Sequence, residues 1–236
     1  MQERILFATI ILAVFYTAYV RSVPFITKCK SDDSKCAKES AQAAITMFAA
    51  GLPEYGVKTL DPVTFQKIDA SSPNLKLILT DITVTGLKNC IFQEVKRDKP
   101  KSKLYLKLQC SGVLDGQYEM KGQLLILKIE GKGPIHVNLR KAEISVDIDL
   151  EEQNDKWNIK QWKHSYELKD NSEVVFGNLL DGNEELKKPV EEVIANNGNE
   201  IILEVGQPVV KTIVDEMVSE VNKFFHAVSA KELSID

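Results

Sequence analysis

The chain has 236 residues, 44% of them hydrophobic and 27% charged, with a formal net charge of −4. That length suits one or two domains and that composition a globular protein rather than a disordered one. The weak acidity, with lysines scattered rather than clustered, argues against a nucleic-acid partner, because phosphate binding needs a basic surface.

Residues 1–22 read as a leader outside the fold. Ile5 to Val20 is an apolar run behind Arg4, shorter than the ~20 residues a membrane span wants. Val20 and Ser22 stand at −3 and −1 of a cleavage site before Val23, the pattern of a secretory signal peptide. Residues 23–236 are then expected as a single domain, secreted and without stable membrane insertion. Four cysteines suit an oxidising compartment. Cys29 and Cys36 enclose a polar loop, and a bridge there would pin the start of the mature chain. An even count allows three connectivities. Zinc is a weak rival, since no pair is spaced C-x-x-C and the three histidines are far apart.

A helix capped by Asp32 or Ser34 is predicted through about Ala50, with Ala37, Ala41, Ala44, Ile45 and Phe48 on one side. Gly51-Leu52-Pro53 ends it, and from there to about Phe176 the apolar period changes to two. Val63–Ile68 is a short strand. Leu75–Val95 is a long one, bent by Gly86, with Ile82, Val84, Cys90 and Phe92 on one face. Lys96 to Lys103 is a charged turn. After it Leu104, Leu106, Leu108, Cys110 and Leu114 alternate with polar residues, as in a half-buried strand. A turn centred near residue 100 pairs positions summing to about 200, so Cys90 faces Cys110. A cross-strand disulfide competes there with two buried free thiols.

Tyr118–Ile129 continues the sheet, and Leu124 to Leu127, apolar on both faces, is expected to be covered twice. Gly131, Gly133 and Pro134 read as a turn. Ile135, Val137 and Leu139 then face in at odd numbers, and Ala142, Ile144, Val146, Ile148 and Leu150 at even ones, so a bulge is expected near Arg140. Trp157–Leu168 places Trp162, His164, Tyr166 and Leu168 on one side, while His136 and His226 should be exposed. Gly177–Asn183 closes the sheet region, and a short helix follows from about Asn183 to Ala195, with Pro189 inside it.

The last element dominates the chain: a helix from about Asn199 to Val228, roughly 45 Å long at 1.5 Å per residue. Ile201, Val205, Val209, Ile213, Met217, Val221 and Phe225 form one apolar row; Ile202, Val210, Val214, Val218 and Phe224 form a second beside it. Lys211, Asp215, Glu216, Glu220 and Lys223 occupy the remaining face. Pro208, after Gly206, should bend the rod a third of the way along. So apolar a rod needs covering, either by a curved sheet or, in a bundle, by other helices with no cavity beside it.

Taken in order, a series of motifs resembles the insect juvenile-hormone-binding and Takeout-like secreted proteins. The series is Cys29-x6-Cys36, Gly51-Leu52-Pro53-Glu54-Tyr55-Gly56-Val57 with Leu60-Asp61-Pro62, Ile82 to Lys88, Tyr118-x3-Gly122 with Gly131-x-Gly133, Phe176 to Leu186, and Val221-Asn222-Lys223-Phe224-Phe225. The resemblance implies an α+β fold: a long C-terminal helix wrapped by a highly curved antiparallel sheet, as in tubular lipid-binding proteins. It also implies an apolar tunnel carrying juvenile hormone, a fatty acid or another isoprenoid or lipid. Ser229-Ala230 departs from the Pro-aromatic pair of many Takeout-like proteins, and Cys90 with Cys110 departs from the usual second cysteine pair.

On this reading the ligand is met by Ile126, Val137, Val146, Trp162, His164, Tyr166, Val209, Ile213, Met217, Val221 and Phe225. Met217 adapts to ligand shape, and His164 and Tyr166 supply the few polar groups such pockets use for orientation. Catalysis is not expected: the chain carries no G-x-S-x-G, H-E-x-x-H, Walker-type loop or G-x-G-x-x-G. Asp147, Asp149, Glu151 and Glu152 are explained as the solvated face of a strand. No cofactor is implied. The competing functions are a chemosensory carrier and a secreted protein-interaction module with a solid core.

Overall fold

The computed structural model describes residues 23–180 and 184–236. The leader expected over 1–22 and the helix start expected at Asn183 lie outside these. Helix α1 spans Ser34–Ala50; strands are β1 Val63–Asp69, β2 Leu75–Thr85, β3 Ile91–Asp98, β4 Lys103–Leu124, β5 Leu127–Gln153, β6 Lys156–Leu168 and β7 Glu173–Phe176; helices α2 Glu184–Asn196, α3 Gly198–Val205 and α4 Gln207–Ala227 follow. All strand pairings are antiparallel, giving the α+β fold with a large curled sheet and C-terminal helices.

Two very long strands, β4 and β5, form the spine of the sheet. They pair with each other, and each is longer than any neighbour on its other edge, so that edge pairs with two strands in succession. β3 lies along the first half of β4 and β2 along the second, with β1 outside β2. β7 lies along the first half of β5 and β6 along the second. Flat strands of this length would splay, and four irregularities roll them instead, the last between Asp149 and Leu150 of β5 against β6. One is the shift between Thr80 and Thr83 on β2. Another falls between Phe92 and Glu94 on β3. The third sets Arg140 and Lys141 opposite the single residue Ser111, with Lys141 at φ 41°. This is the bulge that the parity change near Arg140 foretold.

The structure differs from the sequence expectations at several points. The cap of α1 is Asp33, whose carboxylate accepts from the Cys36 amide at 3.0 Å. The long strand from Leu75 is two, because Gly86 turns with φ 98° into a single 3-10 turn, Leu87–Asn89. Gly131, Gly133 and Pro134 are not a turn but lie inside β5. A side chain at Gly131 would come within 2.8 Å of the Tyr118 hydroxyl, so glycine lets that ring pack flat against the strand. β7 ends at Phe176, before the stretch expected to close the sheet. The charged run after Val95 is mostly strand: β3 continues through Asp98, and the turn is only Lys99–Lys101. Leu125 and Ile126 form the tip of the β4–β5 hairpin, and Ile126 is 87% exposed rather than doubly covered.

The C-terminal rod is broken where expected. α3 ends and α4 begins at Gly206, and Pro208 sits in the first turn of α4, where its missing donor costs no hydrogen bond. Tyr166 stabilises the break, its hydroxyl donating at 2.9 Å to the Ile202 carbonyl that also receives the Gly206 amide.

Both cysteine pairs are bridged. Cys29–Cys36 ties the N-terminal segment to α1, and Cys90–Cys110 crosses from the start of β3 to β4. Their Cα atoms are 4.3 Å apart, the separation of a close, non-hydrogen-bonded pair. The summed numbering held, with Ile91 opposite Gln109 and Phe92 opposite Leu108.

Candidate functional site: an apolar cavity between helix and sheet

The buried side chains fall into two clusters. One gathers Leu75, Leu77, Tyr118, Met120, Phe176 and Ile201; the other gathers Leu52, Tyr55, Trp157, Phe224, Phe225 and Leu233. Between and beside them runs a cavity of about 460 Å³, within the range of small-molecule sites. Its walls are the inner faces of β2 to β5 with Trp157 and Ile159 of β6 and Val174 and Phe176 of β7, the apolar side of α1, the end of α3 and both apolar rows of α4.

Cavity-facing residues show a distinctive burial. Val209, Ile213, Met217 and Val221 are only half-buried although they are the inward row of a covered helix. Leu104, Leu106, Leu108, Val137 and Ile144 share this state on the sheet. Their free surface faces the interior void, whereas Val214 and Phe224 of the second row touch the same wall but are buried. Both rows of α4 therefore reach the cavity, Val210 and Val218 of the second being half-buried like the first, while the buried Val214, Phe224 and Phe225 anchor the helix.

Of the predicted contact residues, the structure brings seven together on this wall: Val137, Val146, Val209, Ile213, Met217, Val221 and Phe225. Four are elsewhere. Ile126 is at the exposed hairpin tip, because the apolar run Leu124–Leu127 is long enough to supply both strand ends and the turn between them. Trp162, His164 and Tyr166 do share one face of β6, but that face packs on the flank of α4 outside the cavity. With its amide nitrogen as donor, Gln207 contacts His164 Nε2 at 3.4 Å. Burial first, and then the nearby Lys211 ammonium, push the His164 pKa down and favour the neutral ring. Lys211 Nζ stands 5.5 Å from the Trp162 ring centre. Burial raises the Tyr166 pKa, and its hydroxyl is spent on the helix break. These residues join strand to helix. His136 and His226 are exposed as expected, against Asp115 and Asn158.

Some wall residues were missed. Ala37, Ala41, Ile45 and Phe48 of α1 line the cavity, though the sequence marked them only as a helix face. Gln42 docks that helix by accepting from the Phe92 amide at 2.8 Å and donating to the Cys90 carbonyl at 3.2 Å. The end near Phe225 is lined by the segment around Cys29 lying beside residues 233–236. Cys29 bridges to Ser234, the Ile235 amide donates to the Cys29 carbonyl at 3.0 Å, and Ser31 donates from its amide and hydroxyl to the Asp236 carboxylate. Ile26, Cys29, Leu233 and Ser234 thus join the wall. No local pattern announces a contact between residues some 205 positions apart.

Glu220 overturns a further expectation. Assigned to the solvated face, it is 0% exposed. Its carboxylate accepts from the Lys58 amide at 2.9 Å and pairs with Lys223 at 2.5 Å, which clamps the loop after α1 onto α4. Burial raises its pKa, but the Lys223 ammonium and the Lys58 amide outweigh that and hold it below the usual carboxylate value. Asp147, Asp149 and Glu151 of β5 form the expected outer acidic face, paired with Lys163, Lys103 and Lys160, but Glu152 stands opposite Trp157 on the other face and pairs with Arg97. Among the described residues no group of three or more His, Cys, Asp or Glu is placed to hold a metal, and no helix is long and apolar enough to cross a membrane.

A family model described as haemolymph juvenile hormone binding protein matches residues 7–234. The chain belongs to that family. A solved structure titled Epiphyas postvittana Takeout 1 superposes with a TM-score of 0.85 at 26% identity, covering 89% of this chain and 99% of that one. The circadian clock-controlled protein daywake of Drosophila yakuba is 26% identical over 198 residues, 76% of this chain and 75% of its own length. The juvenile hormone-binding protein of Manduca sexta is 27% identical over 84 residues, 34% of this chain and 37% of its own. Family and fold agree with the curled sheet and C-terminal helices described above.

Proposed function

We propose that this protein is a secreted, non-catalytic carrier that holds one small hydrophobic molecule in the cavity beside α4. Candidate cargoes are a juvenile-hormone-like isoprenoid, a fatty acid or another lipid. The observation that carries the proposal is the half-buried apolar row Val209, Ile213, Met217 and Val221 facing a cavity of about 460 Å³. A solid-cored interaction module has no use for such a void, since unfilled apolar space forfeits packing energy. Removing about 300 Å² of ligand carbon surface from water would contribute about 7.5 kcal/mol at roughly 25 cal/mol per Å², before the cost of ordering the ligand. Both disulfides suit an oxidising, extracellular setting, as does a cleaved leader over residues 1–22. The Manduca relative, named for juvenile hormone, makes that ligand the first to try.

The test is Ile213→Trp, which puts an indole into the cavity while leaving the buried anchors Val214 and Phe224 in place. Fluorescent-lipid binding should fall at least tenfold, with the thermal midpoint unchanged. Unaltered binding would place the ligand elsewhere. Native mass spectrometry of the purified protein should show a co-purifying apolar molecule.

A further inference from the structure

The cavity wall carries one unusual cation. On β3, the irregularity between Phe92 and Glu94 changes which residues face inward, so Val95 and Arg97 take inner positions after Phe92. Arg97 is therefore the end of an otherwise apolar inner row, and its side chain is only 11% exposed. Its guanidinium carbon lies 4.1 Å from the Trp157 ring centre. Nη2 reaches Glu152 Oε2 at a long 3.4 Å. Nη1 is shut off from solvent and meets no acceptor among the described residues. Burial depresses the Arg97 pKa, opposed by Glu152 and, farther off, by Asp236.

A guanidinium remains ionised in a protein, so its buried N–H groups must find acceptors or destabilise the fold. Glu152 satisfies this one only in part, since a single long contact does not fill a donor fork built for two parallel bonds. Nothing in the packing of the two clusters requires a charge here; Trp157 would rest as well on an apolar side chain. What the position does supply is an anion receptor at the Phe225 end of an apolar channel, with hydrocarbon-lined space running back along α4 to Val209.

We propose that Arg97 recognises the head group of the cargo, and that the cargo is a long-chain amphiphile with a carboxylate at one end. The carboxylate pairs with the Arg97 guanidinium after a small side-chain adjustment, and the tail lies along α4. This inference rests on the carrier reading and narrows it to a ligand class.

The experiment compares a fluorescent polyene fatty acid, cis-parinaric acid, with its methyl ester, which keeps the tail and removes the charge. The wild type should bind the acid about tenfold or more tightly than the ester, the factor expected of a charge-assisted pair. Arg97→Met should erase that preference by weakening the acid alone, leaving the ester within about threefold. Glu152→Gln frees the fork and should tighten the acid alone, which provides a reading if Arg97→Met folds poorly. Equal loss of acid and ester, or unchanged acid affinity in both variants, would overturn the head-group assignment while leaving the carrier intact. Failure of the wild type to bind either probe would bring down the carrier reading with it.

Discussion

The two buried clusters that flank the cavity are built in different ways. At the α3 end the packing is mainly aliphatic and made largely by the sheet itself: Leu75, Leu77, Leu79, Met120 and Leu124 of β2 and β4, with Tyr118 on Phe176 at 4.9 Å. At the other end three distant parts of the chain converge on one ring. Phe224 of α4 meets Phe48 of α1 at 5.0 Å, Tyr55 of the following loop at 5.2 Å and Phe25 of the N-terminal segment at 6.0 Å. The first end is redundant, with many similar side chains on continuous strands. The second has a keystone, because segments with no shared hydrogen-bonded ladder need a common surface to meet on.

Substitutions should expose that asymmetry. Phe224→Ala is expected to have the largest effect, about 3–5 kcal/mol of lost stability for a fully buried aromatic, measured by denaturant unfolding. A loss below about 1 kcal/mol would mean that the converging segments hold one another without it. Glu220→Gln, at the same end, should cost about 1.5–3 kcal/mol by weakening the charge-assisted bonds to Lys58 and Lys223. Its pH dependence sharpens the point. The folded-state pKa of Glu220 is lowered, so its stabilisation is fully present above the unfolded carboxylate value and is lost as pH falls through the folded one. Thermal melts from pH 7 to pH 3 should therefore converge for wild type and Glu220→Gln at the acid end. Tyr166→Phe, at the α3 end, should cost only about 1 kcal/mol, and it should leave lipid binding intact because the hydroxyl serves the helix break rather than the cavity.

How much of this was legible depended on whether the signal was local. The α4 wall was readable because two rows at helical spacing are visible in any window of eight residues, and Gly206 with Pro208 marks the break in plain view. That Cys90 faces Cys110 followed from one hairpin turn, but only the structure shows the two bridged. Trp162, His164 and Tyr166 were assigned to the correct face of β6, yet a face is not a cavity: whether it meets void or helix depends on how far the sheet has rolled by that strand. Arg97 was lost for the opposite reason. It lies in a basic run that reads as turn, and only the irregularity after Phe92 turns it inward. Glu220 looked like any helix-surface carboxylate, because the loop that covers it comes from 162 residues away.

The sequence of helix, antiparallel strands and C-terminal helices, the alternation that rolls one face inward, the broken apolar rod and the placing of Cys90 opposite Cys110 were written in the chain, since each rests on spacing along it. Tertiary structure alone decided which apolar residues line open space and which are packed solid, and which charges, Glu220 and Arg97, are taken out of water. Those outcomes depend on the distance between surfaces that curl toward each other. That distance is set by the accumulated twist of seven strands and by contacts between chain segments far apart in sequence.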